Sequence, residues 1–231
     1  MHPLVRTART TGLFYLGMAL TAIMGFLVVR PKLFASDDPG VTLANLVSHD
    51  SLARAGVALE LAMVVAQALT AAWFYRLFRG VDSFAASGIA AFGLVNAVVG
   101  LASAAMLGTA VQVSADPFGD AAATVQVLHL ISLNLWAVGA LFFGLWLIPM
   151  GRCVLRSGWM PRGLGWLLIA GGFGYVLSPF VLYLADDAQA LFDALAYPAS
   201  VAEFWMVGYL LVVGVRRRAL DEAPAPVAAL P

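Results

Sequence analysis

The chain has 231 residues, of which 62% are hydrophobic and only 11% charged, with a mean hydropathy of +0.90. A soluble domain averages about 25% charged residues, so this composition excludes an ordinary soluble protein. The zero net charge gives no electrostatic basis for a nucleic-acid partner, and the single Cys153 excludes an intramolecular disulfide.

Six apolar segments are long enough to cross a bilayer as helices, each of which needs about 20 residues. In chain order they are residues 10–29, 55–75, 83–115, 121–151, 163–185 and 194–215. Because these runs are continuous and do not alternate in polarity, they are not typical of membrane β-strands. The sequence therefore predicts an all-α integral membrane bundle of six transmembrane helices. The first run exceeds the apolar core of a signal peptide, so we expect a retained span.

The basic residues predict the orientation of this bundle, since Lys and Arg favour cytoplasmic loops. Six spans place ten of the thirteen basic residues on one side, and that side carries both termini. Those ten are Arg6, Arg9, Arg76, Arg79, Arg152, Arg156, Arg162, Arg216, Arg217 and Arg218. The opposite side carries eight acidic residues, namely Asp37, Asp38, Asp50, Asp116, Asp120, Asp186, Asp187 and Asp193. Both termini are therefore predicted to be cytoplasmic.

The chain divides into one six-helix transmembrane domain, residues 1–218, and a Pro/Ala-rich cytoplasmic tail, residues 219–231, which we expect to be disordered. Two outer connections, residues 39–50 and 186–197, carry apolar residues at helical spacing and predict short surface helices. Glycines 163, 165, 171, 172 and 174 predict close packing of the fifth span against its neighbours.

Three ionisable residues lie within spans, and such residues are costly unless they serve a purpose. They are Glu60, His129 and Glu203. Their spans run in the same direction, and each residue lies roughly 8–13 Å below the outer surface at the helical rise per residue. We therefore expect the three side chains to meet in the outer half of the bundle. Gln67, Gln126 and Tyr175 are placed to extend this candidate pocket.

The candidate pocket allows two interpretations. In the functional one, an outward-facing pocket relays protons, binds a cationic ligand or, with Glu60, His129 and Glu203 as ligands, holds a metal ion, although no paired-histidine motif is present. In the structural one, the carboxylates pair with Arg30 or Arg54, or bond to His129, and so link helices.

A family resemblance rests on the hairpin between the fourth and fifth spans. It reads Leu141-Phe-Phe-Gly-Leu-Trp-Leu-Ile-Pro-Met-Gly and then Arg156-Ser-Gly-Trp-Met-Pro-Arg-Gly-Leu-Gly-Trp-Leu-Leu-Ile-Ala-Gly-Gly-Phe-Gly-Tyr175. Together with Ala8-Arg-Thr-Thr-Gly-Leu-Phe-Tyr-Leu and Ala202-Glu-Phe-Trp, it resembles the bacterial membrane family known as domain of unknown function 4386. The resemblance implies a multi-pass bacterial membrane protein, without an assigned activity, cofactor or catalytic residue.

Three functions stay open on these grounds. The first is a small-ligand or proton-linked binding or transport protein, and the second a membrane-embedded enzyme that acts on a lipid-like substrate. The third is a structural or regulatory membrane subunit. The absence of a nucleophile motif such as G-x-S-x-G disfavours the enzyme.

An Arg-rich, Lys-poor composition favours a bacterial source, and hence a location in the cytoplasmic membrane. In that membrane the turn that carries Arg152, Arg156 and Arg162 is a candidate contact for anionic lipid. The sequence indicates no oligomeric state.

Overall fold

The protein folds as seven helices in a computed structural model that describes residues 2–185 and 188–216. The helices are Pro3–Leu33 (α1), Pro39–Ser48 (α2), Asp50–Phe78 (α3), Ser83–Ala115 (α4), Ala121–Ser157 (α5), Arg162–Leu184 (α6) and Gln189–Val212 (α7). No β-strand occurs in the described ranges, and every helix except α2 is long and apolar enough to cross a membrane. The predicted all-α bundle with six candidate spans is confirmed.

Aspartate side chains cap the N-termini of three helices. Asp38, Asp82 and Asp120 each accept a hydrogen bond from the backbone N–H three residues later, at 3.0 to 3.1 Å. These bonds satisfy one of the N–H groups that an α-helix leaves unpaired at its start. At the other end of α5, Gly158 adopts a positive φ of 66°, the left-handed conformation that stops a helix readily at glycine.

Near its carboxyl end, α1 widens into a π-helical segment, Met24–Val29. The cause lies just beyond it, because Pro31 has no N–H group and its ring displaces the carbonyl four residues earlier. The N–H of Arg30 bonds instead to the carbonyl of Gly25, five residues back. This extra residue in the turn changes the direction in which Arg30 leaves the helix.

The six long helices form a closed ring. Each contacts its neighbours in chain order, α1 with α3 across the short α2, and the ring closes between α7 and α1. Trp146 of α5 is fully buried inside the ring, with its ring centroid 5.7 Å from that of Tyr15 and 5.8 Å from that of Phe74. The first and last described segments, near Val5 and Gly214, share one end of the ring, called here the termini end, and α2 packs across the opposite end, the α2 end.

The outer surface of the ring is apolar. Leu27, Leu184 and Val212 leave 72%, 83% and 74% of their surface uncovered, and many other large apolar side chains are similarly exposed. A contiguous apolar surface of this kind is unfavourable in water and suits a hydrocarbon solvent.

Glycines bring α5 and α6 into backbone contact. Gly144 and Gly151 lie one heptad apart on α5, and Gly165 and Gly172 lie one heptad apart on α6. A Cβ atom added at Gly144 would collide with the carbonyl oxygen of Gly172, and one at Gly151 would lie 2.5 Å from that of Gly165. The hairpin that resembles the family is therefore a close-packed interface, in which small residues allow the two backbones to touch.

The two predicted surface helices have different outcomes. The first is confirmed as α2, whose Thr42 and Leu46 are fully buried against the bundle. The second is wrong, because the described residues from Gln189 onward belong to the opening turns of α7, which continues through Pro198. A proline is tolerated in a membrane helix when neighbouring helices satisfy the groups that it frees. Asp186, Asp187, Arg217, Arg218 and the tail 219–231 lie outside the described residues.

Candidate functional site

A buried ion pair links α1 to α3. The Nη2 atom of Arg30 donates to both carboxylate oxygens of Glu60, at 3.2 and 3.1 Å, and the two side chains are 10% and 5% exposed. The guanidinium also lies 4.3 Å above the ring of Phe26. Glu60 is ten residues into α3, about 15 Å along its axis. At that depth in a candidate span, each charge compensates the desolvation of the other.

Three further side chains complete the network around this pair. Ser103 of α4 donates to Glu60 Oε1 at 2.6 Å and shares a 2.7 Å hydrogen bond with Ser132 of α5. Trp136 Nε1 lies 2.9 Å from both Glu60 Oε1 and Ser103 Oγ. Four helices therefore meet at one carboxylate, whose lone pairs are largely satisfied by the protein itself. Such a closed network positions helices more readily than it binds an external molecule.

A small cavity borders the ion pair. It measures about 20 Å³ and is lined by Arg30, Glu60 and apolar side chains of α1, α2, α3 and α4. That volume accommodates one water molecule. Within the described part of the chain, Arg30 Nη1 is buried without a hydrogen-bond partner.

Glu203 lies in a different environment, between α7 and α1. Its Oε1 atom accepts a 2.5 Å hydrogen bond from the hydroxyl of Tyr15. Oε2 makes no hydrogen bond to any residue that the structure describes. Glu203 lines a groove of about 190 Å³ that is open to the exterior, together with Tyr15, Phe143, Tyr175 and Ser200. This carboxylate is therefore accessible from the side of the bundle, and no cationic side chain pairs with it in the described ranges.

His129 packs as an aromatic ring. It is 6% exposed and stacks on Phe34, with the ring centroids 4.0 Å apart and the planes 5° from parallel. Its Nδ1 atom is buried and has no hydrogen-bond partner among the described residues. One turn earlier, Gln126 bonds to the carbonyl of Ser36 at 3.1 Å and thereby ties α5 to the segment before α2.

The other sequence-predicted residues are divided among these environments. Gln67 donates to the carbonyl of Gly93 at 3.4 Å on α4, while Tyr175 lines the Glu203 groove. Arg54 pairs with Asp50, four residues earlier on α3, and Arg30 is the partner of Glu60. No hydrogen bond or ion pair joins Glu60, His129 and Glu203 to one another in residues 2–185 and 188–216. In the same ranges no three His, Cys, Asp or Glu side chains are grouped so as to hold a metal ion.

Sequence reasoning missed Ser103, Trp136 and Tyr15 as partners of the two carboxylates. Serine, tryptophan and tyrosine are common in membrane helices, so their residue types carry little signal on their own. The signal that the sequence did offer was the depth of each residue along its helix. Ser103 lies about 18 Å from the α2 end of α4, a depth close to that of Glu60 on α3.

These features define a multi-pass helical bundle with one closed polar network and one carboxylate beside an open groove. The chain belongs to the family described as domain of unknown function (DUF4386), whose model matches residues 10–214. No curated protein and no solved structure matches the chain.

Proposed function

We propose that this protein is a multi-pass protein of a bacterial cytoplasmic membrane that binds a small ligand or a proton at Glu203. The observation that carries the proposal is a carboxylate within a candidate span, beside an open groove, with one oxygen that makes no hydrogen bond to the described residues. Ionisable residues at membrane depth mark ligand or proton pathways unless a protein group neutralises them. Glu60 has such a group in Arg30, and Glu203 has none among the described side chains.

The charge of Glu203 indicates which ligand the groove would favour. A cationic group would compensate the carboxylate, and so would a proton that converts it to a neutral donor. The remaining walls are largely apolar, apart from the hydroxyl-bearing Tyr15, Tyr175 and Ser200. We therefore assign the groove to a small amphipathic cation, with proton uptake by Glu203 when no cation is bound.

The surroundings of the groove support entry from the bilayer. A second open groove of about 320 Å³ shares the walls Phe143 and Tyr175 and extends to Trp136. Both grooves are open to the exterior, and the wall of the Glu203 groove includes Phe204, which is 60% exposed. A ligand that partitions into lipid can reach Glu203 from the side, without crossing the bundle core.

Benzylamine and benzyl alcohol test the proposal, because they match in size and differ in charge. Benzylamine should raise the thermal unfolding midpoint of the purified protein, since a ligand that binds only the folded state stabilises it. Benzyl alcohol should give a much smaller shift. Glu203→Gln should abolish the difference between the two compounds.

The matched control is Asp193→Asn, which removes a negative charge from the same helix outside the groove. It should respond to benzylamine as the wild type does. If Glu203→Gln keeps the full benzylamine response, Glu203 is not the anchor and the proposal fails.

We assign the basic turn between α5 and α6 to a separate contact, with anionic lipid headgroups. Arg152 and Arg156 are more than half exposed at the termini end, and Arg162 opens α6 beside them. With the termini in the cytoplasm, these guanidinium groups would lie at the level of anionic headgroups.

A further inference from the structure

An open apolar groove lies between α4 and α5 at the termini end. It measures about 560 Å³, and its walls include Phe84 and Phe92 of α4 and Leu145 and Ile148 of α5. Small residues of α4 also line the groove, namely Ala85, Ser87, Gly88 and Ala91. A Cβ atom added at Gly88 would meet nothing closer than 3.6 Å.

The groove has a positively charged mouth. Arg152, one of its lining residues, donates through Nε to Asp82 Oδ2 at 2.9 Å, and Arg156 contacts the same oxygen at 2.6 Å. Two guanidinium groups against one carboxylate leave a net charge of +1. The hydrogen bond from Arg152, followed by that from the Ala85 N–H, lowers the pKa of Asp82 to about 2. Asp82 is thus ionised at neutral pH and holds both arginines at the mouth.

We propose that this groove is a specific site for an anionic phospholipid, with one acyl chain lying against Gly88 and Pro149 and the phosphate bound by Arg152. The Arg152 side chain is 56% exposed, and its terminal N–H groups remain for the phosphate while Nε holds Asp82. An acyl chain suits walls that are almost entirely apolar, and a phosphate suits the unbalanced guanidinium. This site rests on the proposed placement of the basic turn beside anionic headgroups, and it is independent of the Glu203 groove.

Native mass spectrometry of the purified protein in detergent tests this site with two probes, phosphatidylglycerol and phosphatidylcholine of identical acyl chains. The wild type should retain one phosphatidylglycerol in preference to phosphatidylcholine. Arg152→Gln should lower phosphatidylglycerol occupancy about fivefold, the effect of one basic side chain at a membrane surface. Arg76→Gln, which removes an exposed charge from the same end of the bundle but outside the basic turn and the groove, should leave occupancy near that of the wild type.

Gly88→Leu fills the groove without touching the ion pair, so it tests the acyl-chain part separately. It should lower the occupancy of phosphatidylglycerol. Gly208→Leu, at a position with nothing within 4 Å, should not.

Equal losses from Arg152→Gln and Arg76→Gln would overturn the site and leave only a general attraction of the basic end of the bundle for anionic lipid. Unchanged occupancy in Gly88→Leu, or a dimer mass in place of bound lipid, would also overturn it. Neither result bears on Glu203, whose test uses benzylamine and different variants.

Discussion

The Arg30–Glu60 pair contributes to stability because each charge offsets the desolvation cost of the other. Neither charge alone would be tolerated at this depth in the bundle. Arg30 donates to both carboxylate oxygens, while Ser103 and Trp136 bond to Oε1. Removing one member leaves the other as an uncompensated buried charge, which is far more costly than the pair itself. Glu203 differs, because no cationic side chain pairs with it among the described residues, and glutamine at that position would keep an acceptor for Tyr15.

This contrast gives a prediction for glutamine substitutions. Glu60→Gln should lower the free energy of unfolding by about 3–5 kcal/mol, since it strands Arg30. Glu203→Gln should change it by no more than about 1 kcal/mol, the net value of a typical hydrogen bond. Equilibrium unfolding of both variants in mixed detergent measures the difference.

A second substitution checks the mechanism. In Glu60→Gln with Arg30→Met, both charges are absent, so the loss should be smaller than the sum of the two single losses. Additive losses, or equal effects of Glu60→Gln and Glu203→Gln, would contradict the compensation argument.

At the scale of helices, the α5–α6 hairpin is organised by matching glycines. Gly144 faces Gly172 and Gly151 faces Gly165, so the contact repeats after one heptad on both helices. Lipid offers no hydrophobic drive to hold two apolar helices together, and close backbone approach supplies van der Waals contact instead. The segment that carries the family resemblance therefore serves to pack α5 against α6.

We predict that alanine has opposite effects at two glycines. Gly144→Ala should destabilise the protein by about 1–3 kcal/mol, because the new methyl group meets the backbone carbonyl of Gly172, which cannot rotate away. Gly208→Ala, on an open face of α7, should be neutral or stabilising by about 0.5–1 kcal/mol, because alanine is the better helix former. Unfolding in detergent measures both, and a Gly144→Ala variant as stable as Gly208→Ala would rule out the close contact.

The sequence predicted where each long helix lies along the chain better than how that helix is rotated about its own axis in the bundle. Apolar runs identified all six long helices, because a helix that crosses the hydrocarbon core needs a continuous apolar run of about 20 residues. Depth predicted that Glu60, His129 and Glu203 lie at a similar level, and Arg30 was one of two candidate partners for the carboxylates. Which side of a helix a residue occupies depends on packing, and that is why Glu60 and Glu203 occupy separate environments. The π segment before Pro31 redirects Arg30, and no hydropathy pattern reports such a local change of register.

At the scale of the whole molecule, the charged side chains of the described residues lie near the ends of the helices, apart from Glu60 and Glu203. The termini end carries Arg152, Arg156 and Asp82, and Arg216 donates a backbone hydrogen bond to Trp159 there. The α2 end carries acidic helix caps, Asp38 and Asp120. A positive termini end and an acidic α2 end predict that the termini face the cytoplasm, because positively charged loops are retained on that side.

Cysteine labelling in intact bacterial cells tests this orientation. Asp37→Cys is exposed between α1 and α2, and Gly80→Cys is exposed in the α3–α4 turn with nothing within 4 Å of its new side chain. A membrane-impermeant maleimide should label Asp37→Cys in intact cells and Gly80→Cys only after the cells are permeabilised. The wild type supplies the blank, because Cys153 is fully buried. The reverse pattern would invert the bundle, place Arg152 and Arg156 at the outer surface, and thereby withdraw the reason for expecting cytoplasmic anionic lipid at the α4–α5 groove.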